Sequence, residues 1–370
     1  MAVKIFQKKA GCSESTTGFF VDPTIDIIKG MAIILVVYGH VIEHGMAPNA
    51  QDFFLNPVFK LIYTFHMPLF VFMSGYLMAF SLSRRSLRGA FKVKCKSLLV
   101  PFLSLGVLGI AVSYFFNVIF GKAGGVFNFS QDLIDQLLLR PSAWFLFTLF
   151  ILSALLIYSI HLEKRLGVVG FLSIYFLMLV IPYNDYCCIY YIKWFYLFFL
   201  TGYLINRYHL RITYPMGQTA VFFISLIMFI GLVPFWTTQD YIYINKMNFV
   251  SNQYFHEILR IMYRYFMGFL GIIISFYIGA KLSRTKIAPV LRYVGTYALD
   301  IYIIQMCIVE GVYPRLVYKM HSHLDFNSPL VLYILAPLLV IFFVGLCMLI
   351  SKLLIRKNSL LGRLLLGGRV

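Results

Sequence analysis

Lys29 and His40 stand eleven residues apart in the first apolar segment, Ile25-Asp26-Ile27-Ile28-Lys29-Gly30-Met31-Ala32-Ile33-Ile34-Leu35-Val36-Val37-Tyr38-Gly39-His40. On a helix, eleven steps return a side chain to within about 20° of its starting direction and raise it by about 16 Å. Asp26 falls about 40° to the other side of His40. One face of an apolar helix therefore carries an acid, a base and an imidazole. Ionisable groups inside a membrane are costly and mark functional sites by default. Histidine is the side chain whose ordinary titration range suits proton transfer near neutrality. Glu43, three residues beyond His40, either orients the imidazole or is a solvated interface residue.

A second histidine lies in Phe65-His66-Met67-Pro68-Leu69-Phe70, which leads to Ser74-Gly75-Tyr76. Proline in a span frees a backbone carbonyl, and such breaks persist where they line a cavity or are satisfied inside the protein. His66 either faces that cavity or bonds a neighbouring carbonyl in a kinked packing helix. Next comes a basic run from Arg84 to Lys96, in which the guanidinium groups suit phosphates through their forked donors. The same run also suits anchoring to anionic lipid on the inner face. Arg260 and Arg264, four apart, offer either a positive group for a developing oxyanion or pairing with Glu257 and headgroups. Aromatics such as Tyr183, Tyr186, Tyr190, Tyr191 and Trp194 read as an interfacial belt or as stacking surfaces for a ring.

Only membrane helices can position these groups. The chain of 370 residues is 61% hydrophobic and 12% charged, which excludes an ordinary soluble domain. Runs of about 20 apolar residues predict ten spans, at roughly 25–45, 57–82, 97–120, 143–162, 167–182, 189–208, 218–236, 258–281, 295–319 and 329–355. The span at 167–182 is the shortest. Loops on the N-terminal side hold most of the basic residues, whereas the opposite loops hold Lys122, Arg140, Lys246, Arg315 and Lys319. That bias predicts cytoplasmic N and C termini. The expected fold is all-α, a polytopic bundle of about ten transmembrane helices. Residues 1–24 form a cytoplasmic tail, 25–355 one transmembrane domain, and 356–370 a basic cytoplasmic tail. The first helix is expected to remain as an anchor, because no cleavage pattern follows the polar tail.

The formal charge of +18 is spread over separate loops rather than one patch, so nucleic acid is not an expected partner. The six cysteines show no metal-ligand spacing, and neither a structural disulfide nor a metal is expected. Asn128-Phe129-Ser130 fits a glycosylation acceptor, a pattern of little weight.

Taken together, Lys29-x10-His40, the Phe-His-Met-Pro-Leu-Phe run ending in Ser74-Gly75-Tyr76, and Arg85-x-x-Arg88 resemble the acyltransferase 3 family of membrane O-acyltransferases. The branch they most resemble contains fucose 4-O-acetylase-like sugar acetylases. Trp144-Phe145-Leu146-Phe147-Thr148-Leu149-Phe150 looks like the fourth-helix motif of that family, which makes Trp144 a substrate candidate. The segment Gly295 to Gln305 departs from the pattern, since the family often places His where Gln305 stands, and Gln takes no proton at neutral pH. Asp300 in that segment is read as a hydrogen-bonding link to a partner helix.

The resemblance implies an O-acyltransferase, with acetyl-CoA as donor and no metal, acting on a surface or lipid-linked carbohydrate. Lys29, Arg85 and Arg88 would take CoA phosphates on the cytoplasmic side. His40 would act as general base for a sugar hydroxyl, or form an acyl-His intermediate, with Glu43 and His66 beside it. A bacterial inner membrane is the expected location. The alternative from a different class is a carrier or flippase for a lipid-linked saccharide, since ten spans with buried charge and broken helices also suit transport.

Overall fold

Helix α1, Thr24–Gly45, is apolar around almost its whole circumference, with Ile25, Ile28, Ile33, Val37 and Ile42 all buried. A helix of that kind belongs inside a bundle. In the computed structural model it is the central rod. Residues 24–45, 52–119, 129–139, 143–181, 186–208, 218–245, 254–320 and 328–368 are described. Among them there is no strand.

The remaining helices follow in chain order. They are α2 Pro57–Tyr63, α3 His66–Ser83, α4 Leu87–Lys94, α5 Val100–Ile119, α6 Phe129–Ile134, α7 Trp144–Val180 and α8 Ile189–Arg207. Then come α9 Gln218–Leu232, α10 Tyr254–Leu282, α11 Ala288–Thr296, α12 Ala298–Cys307, α13 Tyr313–Met320, α14 Ala336–Ile350 and α15 Ser359–Leu366. α1 packs on α2, α3, α10, α11, α12, α13 and α14.

Seven helices among the described residues are long and apolar enough to cross a membrane, or eight if the pair bent by 64° at Tyr297 counts as one span. The protein is thus an all-α integral membrane bundle. The segment Thr219–Phe235 is apolar but shorter. The segments expected at 143–162 and 167–182 are two helical stretches that meet at a kink within α7, at Gly167, where φ is 62° and ψ is −148°. Only glycine adopts that conformation cheaply. Asn128 of the acceptor pattern, Tyr183, Cys12 and residues 1–23 lie outside the described residues. Cys95, Cys187, Cys188, Cys307 and Cys347 are free thiols.

Two close crossings fix the rods. A Cβ on Gly75 of α3 would overlap the Phe199 carbonyl, and one on Gly202 of α8 would overlap that of Phe72. Gly30 of α1 and Gly295 of α11 meet the partner backbone in the same way. With no hydrophobic drive between helices in lipid, small residues that admit such approach hold the packing. Polar ties complete it at the α14 end, where the buried Asp300 accepts from Arg356 Nε at 2.8 Å and from Ser351. Arg356 lies beyond the last span, and this carboxylate raises its pKa above the ordinary value. The segment expected as a basic tail carries α15, capped by Asn358, whose side chain accepts from Leu360 and Leu361 N–H. α15 packs on α5, and its Leu366 is fully buried.

Candidate active site

The expected second span breaks before its proline. Asn56 caps α2, accepting from Val58 and Phe59 N–H at 3.0 and 3.1 Å, with Pro57 at the first position, as suits a helix start. The chain then breaks at Thr64 and Phe65, so that Pro68 falls in the first turn of α3, where no N–H partner is missed. His66 Nδ1 donates to the Ile62 carbonyl at 2.9 Å, which that break leaves available. His66 therefore meets both readings of the sequence, since it bonds a neighbouring carbonyl and also lines a cavity.

That cavity holds about 370 Å³. His40, Glu43 and His44 line it from α1, and Glu310 joins them from a turn that packs on α1. His40 Nδ1 faces Glu43 Oε2 at 3.3 Å, and its Nε2 faces Glu310 Oε1 at 3.7 Å. Each carboxylate is held in turn. Tyr63 O–H donates to Glu43 Oε2 at 2.9 Å, and Gln305 Nε2 donates to Glu310 Oε1 at 3.1 Å. Glu310 sits in a π-helical turn, Ile308–Val312, that follows α12. Such turns re-aim side chains and gather at functional sites. An imidazole flanked by two carboxylates can accept a proton with the resulting charge favoured on both sides.

All three tryptophans of the chain, Trp144, Trp194 and Trp236, line this cavity. Trp144 stacks on Tyr191 at 3.9 Å between centroids. Asp240, Tyr241 and Tyr243 come from the segment after α9. Tyr243 O–H is buried with no hydrogen-bond partner among the described residues. Burial, followed by the Glu43 charge, pushes its phenol well above the ordinary value, so it remains a donor.

The sequence marked Arg260 and Arg264 as oxyanion candidates, and the structure brings neither to the cavity lining. Arg264 is fully buried and donates to the carbonyls of Gln239 at 2.5 Å and Asn245 at 3.1 Å. Arg260 pairs with Glu257 at 2.6 Å and Asp240 at 3.6 Å. Backbone carbonyls take up the two terminal nitrogens of Arg264, whose Nε stays buried without a partner among the described residues, and both arginines fasten the segment that carries Tyr241 and Tyr243.

A second cavity, of about 220 Å³, is lined by Lys29, Ser74, Lys94, Ser153 and Thr296 among apolar residues. Lys29 also pairs with Asp26 at 2.6 Å. Arg85 and Arg88 are exposed and line neither cavity, while Lys94, one helical stretch further, does. The two cavities succeed one another along four helices. On α1 the lining runs from Lys29 to His40, on α3 from Leu77 to His66, on α7 from Leu149 to Trp144, and from Gly295 through α12 to Glu310.

Reading from sequence missed Glu310, Tyr63, Lys94 and Tyr243. Glu310 was within reach, being an acidic residue in an apolar stretch. His40, Glu43 and His44 could also hold a metal ion, with donor atoms within 4.8 Å of one another. However, Glu43 is already bonded by Tyr63, and Glu310 flanks the free edge of His40.

A family profile described as an acyltransferase domain, Acyl_transf_3, matches residues 22–356. Nodulation protein NolL of Sinorhizobium fredii is 37% identical over 129 residues, covering 34% of this chain and 33% of that protein. Nodulation protein NolL of Mesorhizobium japonicum is 39% identical over 82 residues, 22% of each chain. The match thus spans about a third or less of these relatives' length. No solved structure matches the chain. With the profile spanning nearly the whole bundle, the chain belongs to the acyltransferase 3 family and is an integral membrane protein.

Proposed function

We propose that the protein moves an acetyl group from cytoplasmic acetyl-CoA to a hydroxyl of a surface or lipid-linked carbohydrate presented at the opposite face of a bacterial inner membrane. The observation that carries this reading is the succession of two cavities along the same four helices, one with lysines and hydroxyls and the other with His40 between two carboxylates. CoA phosphates dock at the mouth near Lys29 and Lys94, with Arg85 and Arg88 on the exposed approach. The basic loops favour a cytoplasmic position for that mouth.

In the upper cavity, His40 removes the proton of the acceptor hydroxyl as its oxygen attacks the thioester carbonyl. The C–O bond forms, the C–S bond breaks, and the imidazolium returns the proton to the departing CoA thiolate. Glu43 and Glu310 steady the imidazolium between these events. Tyr243, a donor without a partner, serves the developing oxyanion, and Trp144 and its neighbours flank the sugar ring. Mass spectrometry of surface glycans from cells with and without the gene tests the reading. An acetyl increment that appears with the gene and vanishes after mild base supports it, and glycans of unchanged mass overturn it.

A further inference from the structure

Among the described residues the two cavities share three lining residues, Val36 of α1, Met67 of α3 and Tyr302 of α12. The wall between them is therefore one layer of side chains, contributed by three different helices. It lies close beneath the base, because Val36 is one turn from His40 on the same face of α1, about 6 Å along the axis. Met67 adjoins His66 in sequence. The Tyr302 ring is braced edge-on by Phe145 at 5.5 Å, and Val36 is buried in the core. Met67, unbranched and half-buried, is the compliant member of the three.

We infer that Val36, Met67 and Tyr302 form a septum that sets which acyl groups reach His40, admitting two carbons and excluding longer chains. This rests on the transferase reading above. A thioester rising from the lower cavity puts its acyl end through the septum before its carbonyl comes level with His40. Every methylene beyond acetyl must then displace atoms of a packed layer. An apolar wall discriminates by about ten-fold or more for each methylene. Trimming Met67 to Ala joins the cavities on the side where the wall already yields.

The test uses the full chain in lipid nanodiscs, supplied with acetyl-, propionyl- or butyryl-CoA and a panel of methyl pyranosides, with release of CoA thiol as the readout. The wild-type rate should fall about ten-fold for each added methylene. In Met67→Ala the butyryl-to-acetyl ratio should rise at least ten-fold, and Val36→Ala, on another helix, should move it the same way by less. The ratio is independent of how much protein folds, and a monodisperse size-exclusion profile identifies samples fit to compare. An active Met67→Ala or Val36→Ala with the wild-type length profile overturns the septum and leaves the transferase reading intact. A wild-type protein that releases no thiol from any acyl-CoA overturns both.

Discussion

The upper and lower cavities share the walls of α1, α3, α7 and α12, yet their polar groups are arranged differently. In the upper one, the imidazole of His40 and two carboxylates are set against one another. Glu43 and Glu310 flank His40, and Tyr63 and Gln305 hold the carboxylates. In the lower one, Lys29 and Lys94 stand among serine and threonine hydroxyls with wide apolar stretches between them. A reacting atom needs donors and acceptors fixed to within a fraction of an ångström, whereas a passing arm needs only shape and occasional polar relief. On the function proposed above, the contrast gives chemistry to the first and passage to the second, and it can be broken by substitution.

The largest effect should come from the upper cavity. His40→Ala should lower turnover by about 10³-fold while the protein still accumulates in the membrane, measured as acyl-CoA consumption per mole of folded protein. A variant retaining a tenth of the rate would remove His40 from the base role. Tyr243→Phe deletes one donor and should cost about 10²-fold in kcat, with KM for acyl-CoA little changed. Glu310→Gln keeps the size of the group and its bond to Gln305 but removes the charge beside His40. About a ten-fold loss in kcat is expected there, since a positioning carboxylate acts through the base. In the lower cavity, Lys94→Ala should instead raise KM for acyl-CoA by about ten-fold at nearly constant kcat, the signature of lost uniform binding. A fall in kcat alone would erase the distinction between the cavities. The smallest effect is expected from metal removal. Turnover after EDTA dialysis should stay within about two-fold of the starting value. A loss restored by zinc would reassign His40, Glu43 and His44 to coordination.

Periodicity made the shared face of Lys29 and His40 legible, because both residues lie on one uninterrupted helix whose phase is fixed by counting. The break before Pro68 and the link from Asp300 to a partner helix were legible for a similar reason, as local rules govern both. Glu310 escaped because its direction depends on a π-helical turn that no count of 3.6 residues per turn anticipates. Arg264 drew attention as a charge near an outer helix end. Its partners, the carbonyls of Gln239 and Asn245, are set by how the segment after α9 folds back, and residue types do not encode that in any readable pattern. The choice between Arg85, Arg88 and Lys94 turned on which face of a short amphipathic helix meets the bundle. That is a tertiary fact.

The close crossing of Gly30 with Leu291 and Gly295 bears on how the protein is made. α1 leaves the ribosome long before α11 exists, so the helix that ends in the centre must first wait in lipid with Lys29 aboard. Lys29 stands in the second turn of α1, where a charge costs less to insert than the about 2.5–3.5 kcal/mol of a span's centre, and Asp26, one turn away, pairs with it within the same helix. Docking against α11 can come only after synthesis of more than two hundred further residues. The bundle therefore closes late. A bulky side chain at Gly30 or Gly295 should leave helices that insert normally but fail to assemble, a lesion visible as protease sensitivity in the membrane rather than as lost insertion.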